Sequence, residues 1–235
     1  MRVVHVLAIC AMATIGSAAS AQEIDWKKVD EAIGRSAAVV SADVHRYGFP
    51  RTDLTVTLDG VTIKPALALG GWTAFKPAHG GAMVMGDLVL LETEINPVMA
   101  KLIENGIEIT AVHNHVLRAN PLTFYMHIGG HGDPVSENGT QLVPPGPMGM
   151  ATGINFQPTG GGKAAITGDF VLTGNEVNPV IQALRSNGIE VTAVHSHMLD
   201  EQPRLFFLHF WANDDAVKLA KGLRAALDKT ASTKS

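Results

Sequence analysis

The stretch Ala111-Val112-His113-Asn114-His115 returns later in the chain as Ala193-Val194-His195-Ser196-His197. Twelve residues beyond each second histidine stands a third, His127 and His209, and every member of the later set lies 82 residues after its counterpart. The chain is internally duplicated, and each copy repeats the same three imidazoles. In a strand, side chains two apart face one way, so His113 and His115 share a face, as do His195 and His197. A hairpin return centred on Gln202 sets His209 opposite His195 and Phe207 opposite His197, with a matching turn at Asn120 in the first copy. Directly opposed Cβ atoms stand roughly 4.5–5.5 Å apart, close enough for three rings to converge.

Working outward, Gly86 to Val135 aligns without gaps on Gly168 to Val217, with about half the positions identical. Each copy reads as strand, helix, strand, strand, with a further helix closing the second. Ala164–Leu172 alternates as a strand. Asn178 and Pro179 suit the start of a helix, and Gly188 suits its left-handed end. Leu205–Trp211 is a strongly apolar strand, and Asp214 opens an amphipathic helix. The copies are unequal. A helix over Trp26–Ile33 and strands over Val39–Tyr47 and Leu54–Leu58 precede the first, and nothing equivalent precedes the second. The expected fold is α+β: two related units, each a small antiparallel sheet with helices packed on one face. The expected organisation is a signal peptide over 1–21, a first unit over 22–135, a linker over 136–148 and a second unit over 149–235.

The first residues read as an export signal, with Val6–Ala13 apolar and Ala19-Ser20-Ala21 as the small-residue cleavage pattern. No later run is long and apolar enough for a membrane helix, so the expected location is periplasmic or secreted. Cys10 is the only cysteine and lies inside the signal. The mature chain then has neither disulfides nor thiolate ligands, and a metal would rest on His, Asp, Glu or backbone oxygen. The net charge of −4 and the lack of a basic patch argue against nucleic acid as a partner.

The candidate metal ligands are His113, His115, His127, His195, His197 and His209. Three imidazoles and an open position for water suit zinc, the favoured ion, although copper, iron and nickel also take imidazole. Glu94 and Glu176 are candidate carboxylate partners, as a fourth ligand or a general base. Two other readings stand beside this one. The histidines could be core residues of a non-enzymatic cell-envelope module that holds a small molecule or envelope component, with Trp72, Trp211, Phe206 and Phe207 as its contacts. The chain could also be a shortened, inactive copy. Met83 and Met85 have no methionine counterparts and suit core packing. His79 and His131 have no histidine counterparts. Gly160-Gly161-Gly162-Lys163 lacks phosphate-loop spacing and reads as a hairpin turn. Asp87 and Asp169, each after a glycine, read as turn or bulge residues. No Gly-x-Ser-x-Gly elbow or His-Glu-x-x-His helix is present.

The blocks Ala82–Leu91, Glu94–Val98, Asn105–His115, Tyr125–Pro134, Gly153–Asp169 and Leu205–Lys218 resemble the LppY/LpqO family of exported bacterial proteins. The resemblance implies an exported, two-unit protein of a family with no established biochemical role, and it supplies no catalytic residues. This chain departs from the family pattern in its shortened middle.

Overall fold

Period-2 patterning forms twelve strands and short apolar stripes form five helices among the described residues of the computed structural model, which are 24–40, 43–78, 81–131 and 149–231. The signal peptide to Ala21, Cys10, His79 and the linker 136–148 lie outside them. In chain order the elements are α1 (Trp26–Ile33), β1 (Ala38–Val40), β2 (Val44–Pro50), β3 (Val56–Leu58), β4 (Val61–Ile63) and α2 (Pro65–Ala68). Then come β5 (Gly70–Ala78), β6 (Gly81–Leu91), α3 (Glu92–Glu104), β7 (Glu108–His113) and β8 (Thr123–His131). The second copy contributes β9 (Gly153–Gly160), β10 (Lys163–Thr173), α4 (Gly174–Ser186), β11 (Glu190–His195), β12 (Leu205–Asp215) and α5 (Ala216–Leu227).

The fold is α+β, and each copy builds an antiparallel sheet. The first runs β1-β2-β5-β6-β8-β7 and the second β11-β12-β10-β9, so β5-β6-β8-β7 is the shared motif. The first sheet is larger than the small sheet expected, because the unduplicated opening segment adds β1 and β2 beyond β5. Helices α3, α4 and α5 pack on the outer faces of the sheets, while α2 lies between the sheets. Ile95, Val98, Met99 and Leu102 of α3 cover Leu90, Met126 and Ile128. Val180 and Leu184 of α4, with Leu219, Leu223 and Ala226 of α5, cover Ile166, Phe170, Leu172, Leu208 and Phe210. The other faces of the two sheets turn toward each other. Between them sits a core of Val56, Leu58 and Ile63 from the β3–β4 hairpin, Leu67 and Leu69 around α2, and Val89, Tyr125, Ala165 and Trp211 from both sheets.

Two local details differ from expectation. Helix α4 starts at Gly174, ahead of Asn178-Pro179, because Thr173 and Glu176 form a capping box there. The hairpins are also shifted by two residues. His195 lies opposite Phe207 and Ala193 opposite His209, and in the first copy His113 lies opposite Tyr125 and Ala111 opposite His127. Each strand ends at its first histidine, so His115 and His197 belong to the connecting loops. A shift of two keeps every side chain on its face, whereas a shift of one would reverse it.

A bulge in each edge strand then sets which face that is. The register breaks between Val191 and Ala193, and at the matching point between Ile109 and Ala111. Strict alternation would put Val191 and His195 on one face. The extra residue, Thr192, reverses the phase. Val191 packs with the α4–α5 core while His195 faces the opposite sheet.

Candidate metal centre

All six histidines meet in one cluster between the sheets. The rings of His113 and His195 are 3.6 Å apart, centroid to centroid, those of His115 and His209 are 3.7 Å apart, and those of His127 and His197 are 3.6 Å apart. The first pair joins two equivalent residues, and the other two pairs exchange under the 82-residue repeat. The cluster is therefore pseudo-twofold, the arrangement of a symmetric dimer interface made within one chain.

Each ring is held by identifiable contacts. His115 stacks on Tyr125 at 3.5 Å and His197 on Phe207 at 3.4 Å. The residues between the histidines pin the loops: Asn114 Nδ2 donates to the Thr123 carbonyl at 2.8 Å, and Ser196 Oγ to the Leu205 carbonyl at 2.9 Å. His209 Nδ1 lies 3.0 Å from the Gly168 carbonyl, and His127 makes the matching contact with the Gly86 backbone. A carbonyl accepts from Nδ1–H, so Nε2 carries the lone pair, the usual way a buried histidine is prepared as a ligand.

Burial disfavours the imidazolium form, and neighbouring rings add to the effect at most of these positions. The pKa of His195 falls to about 4 and that of His209 to about 3, while His113, His115, His127 and His197 are also pushed far down. All six rings are neutral at pH 7. Eight ligand atoms here are buried without a hydrogen-bond partner among the described residues: His113 Nδ1, His115 Nε2, His127 Nε2, both ring nitrogens of His195, His197 Nε2, and Oδ1 of Asp87 and of Asp169. Such orphaned groups are rare in protein interiors and costly. His113 Nε2 and His209 Nε2 are 3.4 Å apart, which matches the roughly 3.3 Å between two ligands of one tetrahedral zinc. Groups whose ligand atoms all lie within 4.8 Å of one another are His113/His115/His209, His113/His127/His195, His195/His197/His209 and Asp87/His115/His127.

The carboxylates are the correction. Glu94 and Glu176 lie outside the cluster. Glu94 accepts from Leu91 N at 2.8 Å and from Arg51 Nη1 at 2.7 Å. Glu176 accepts from Thr173 N at 2.7 Å, Thr173 Oγ1 at 2.8 Å and Ala231 N at 2.8 Å. Both are helix-start residues whose oxygens are already engaged. Glu176→Ala is therefore expected to lower unfolding stability by about 1 kcal/mol, as loss of a cap does, and to leave bound metal unchanged; urea melts beside metal content check both.

The carboxylates at the site are Asp87 and Asp169, expected from sequence in turns. Both lie within strands, directly opposite His127 and His209. Asp87 Oδ2 is 3.7 Å from His115 Nε2, and Asp169 Oδ1 is 4.0 Å from His209 Nδ1. Burial raises both pKa values, that of Asp87 to about 7. Their strand phase was the available signal, since each is duplicated and shares an inward face with a cluster histidine. The preceding glycines have a separate cause. A Cβ on Gly86 would come within 2.8 Å of the Trp72 carbonyl oxygen, and one on Gly168 would overlap the Gly153 carbonyl oxygen.

A cleft of about 400 Å³ opens beside the cluster, with Asp87, His115, His127, Asp169, His197 and His209 on its wall. Of the aromatic residues singled out in the sequence, Trp72 lines this cleft. Phe207 and Trp211 are buried, and Phe206 packs against the α4–α5 core.

A family model described as Domain of Unknown Function (DUF1259) matches the chain twice, over residues 27–141 and 135–229. No curated protein matches the chain. No solved structure matches it either.

Proposed function

We propose that this chain, which belongs to the family described as Domain of Unknown Function (DUF1259), binds divalent transition metal through its duplicated histidines. The observation that carries the reading is the meeting of six neutral imidazoles and two carboxyls, each except His209 with a buried ligand atom left unpartnered. His113, His115, His127, His195, His197 and His209 are the proposed imidazole ligands, with Asp87 and Asp169 as carboxylate partners. Zinc is the favoured ion, because it takes imidazole nitrogen and carboxylate oxygen, has no redox chemistry and imposes no d-electron geometry on its ligands. A metal bound at the cleft wall would polarise a substrate or activate water, so metal-assisted hydrolysis is the activity to screen. We place the protein with the LppY/LpqO type on the motifs quoted above, and outside the cytoplasm on its N-terminal signal pattern. No helix among the described residues is long and apolar enough to cross a membrane.

The test is metal content by inductively coupled plasma mass spectrometry on protein purified without a histidine tag, beside a His195→Ala/His197→Ala variant. Near-stoichiometric metal that a folded variant loses is the expected result. Protein that holds no metal and takes up no zinc, copper, iron or manganese would overturn the reading and leave an envelope binding module with core histidines.

A further inference from the structure

The walls of the cleft are not duplicated as the histidines are. One side is contributed by the opening segment, which has no counterpart before the second copy. Arg46 on β2 stands there, with its guanidinium 4.2 Å from the centre of the Trp72 ring. Pro65, Ala66 and Leu67 of α2 and Trp72 of the shared strand β5 continue this wall as an apolar surface.

Arg46 is only partly exposed. Among the described residues it donates no hydrogen bond and has no carboxylate within 4.0 Å. Its pKa is lowered by burial, and Asp87 acts in the opposite direction. A guanidinium carries five N–H donors in a planar fork. Half-buried arginines normally spend that fork on a carboxylate or phosphate. Other arginines here do so: Arg51 holds Asp53 and Glu94, and Arg118 holds Asp59 and Glu190. Arg46 instead stands over the Trp72 ring on the wall of the cleft, with no hydrogen bond from its guanidinium among the described residues.

We propose that the cleft binds a small molecule bearing an oxyanion, with Arg46 as the anchor of that group and Trp72 as the platform beside it. The oxyanion is a carboxylate or phosphate, which share the bidentate geometry the guanidinium recognises. The remainder of the molecule lies along the apolar wall and points toward Asp87, His115 and His127. A volume of about 400 Å³ suits a metabolite-sized ligand. The duplicated histidines thus hold the ions, and Arg46 from the unduplicated strand β2 selects the ligand. The position of the ligand beside ions rests on the metal reading; its contact with Arg46 does not.

Isothermal titration with inorganic phosphate and with succinate tests this on chelator-stripped and zinc-loaded full-length protein. Saturable binding of at least one probe is expected in the wild type. Arg46→Gln is expected to weaken it about tenfold or more, the usual scale for a lost charge-assisted pair. Arg46→Lys keeps the charge and the apolar stem, guards against a folding artefact, and is expected to lose part of the affinity. Preference between the probes identifies the oxyanion. In chelator-stripped wild-type protein the Arg46-dependent binding is expected to persist, so a failed metal reading would be visible separately. Absence of saturable binding in both forms, or equal affinity in folded Arg46→Gln protein, would overturn the proposal.

Discussion

Zinc added to chelator-stripped protein at pH 7.5 is expected to raise the midpoint of thermal unfolding by roughly 10 °C. An ion bound to the native state alone stabilises it by about 4 kcal/mol at a thousandfold excess over its dissociation constant. For a chain of this size each kcal/mol moves the midpoint by roughly 2–4 °C. The effect has a local cause. At this pH the buried Asp87 and Asp169 carboxyls lack a cation, and a divalent ion relieves that penalty while using the free imidazole lone pairs.

The metal-free protein should also lose stability in acid. Each cluster histidine has a folded pKa below its unfolded value of about 6.5, so the unfolded chain binds more protons as pH falls. The histidine penalty is absent above about 6.5, grows as pH falls below it, and levels off at about 4 for His195 and about 3 for His209. The aspartates run the other way. Asp87 is raised to about 7, so its favourable contribution is full below the unfolded value of about 3.9 and is lost as pH rises through about 7. With more histidines than aspartates in the cluster, the net result is acid destabilisation below about pH 6.5. Scanning calorimetry from pH 4 to 8, with and without zinc, checks both effects. Acid loss without a zinc gain would point to core histidines and against a metal centre.

The second large effect is expected from Gly168→Ala, at about 3 kcal/mol or more of lost stability, read as a urea or thermal midpoint shift. The new methyl would overlap the Gly153 carbonyl oxygen and stand 3.0 Å from the Phe210 ring. The first obstacle is backbone, so rotamer change cannot relieve it and β9 must move away from β10. Gly86→Ala meets the Trp72 carbonyl oxygen at 2.8 Å and should be milder. Gly153→Ala meets nothing within 4 Å and serves as the control. Similar midpoints for Gly168→Ala and Gly153→Ala would mean that close approach is not what requires glycine at 168.

The duplication, the order of elements in each copy, the glycine-ended helices and the shared face of the histidines were all legible in the sequence. They depend on spacing along the chain, which local geometry converts directly into direction. Helix α4 starts a turn before the strong local signal Asn178-Pro179, because Thr173 and Glu176 cap it only as a pair. That pairing also takes Glu176 out of the metal site, as the Arg51 ion pair does for Glu94. Gly-Asp is common in turns, so the local sequence points Asp87 and Asp169 to turns, whereas both lie within strands. Their glycines are instead explained by a neighbouring strand that the sequence does not identify.

The sequence by itself determined that two related units exist and that each offers three imidazoles to one side of a hairpin. Only the tertiary structure decided that the two sides face each other, giving one cluster in place of two. That outcome depends on burying Val56, Leu58, Ile63, Tyr125 and Trp211 between the sheets, contacts made across long stretches of chain. It depends equally on the Thr110 and Thr192 bulges, which reverse the strand phase just before the histidines. Side-chain period is a local property, but the face that becomes interior is set by what another part of the chain brings to cover it.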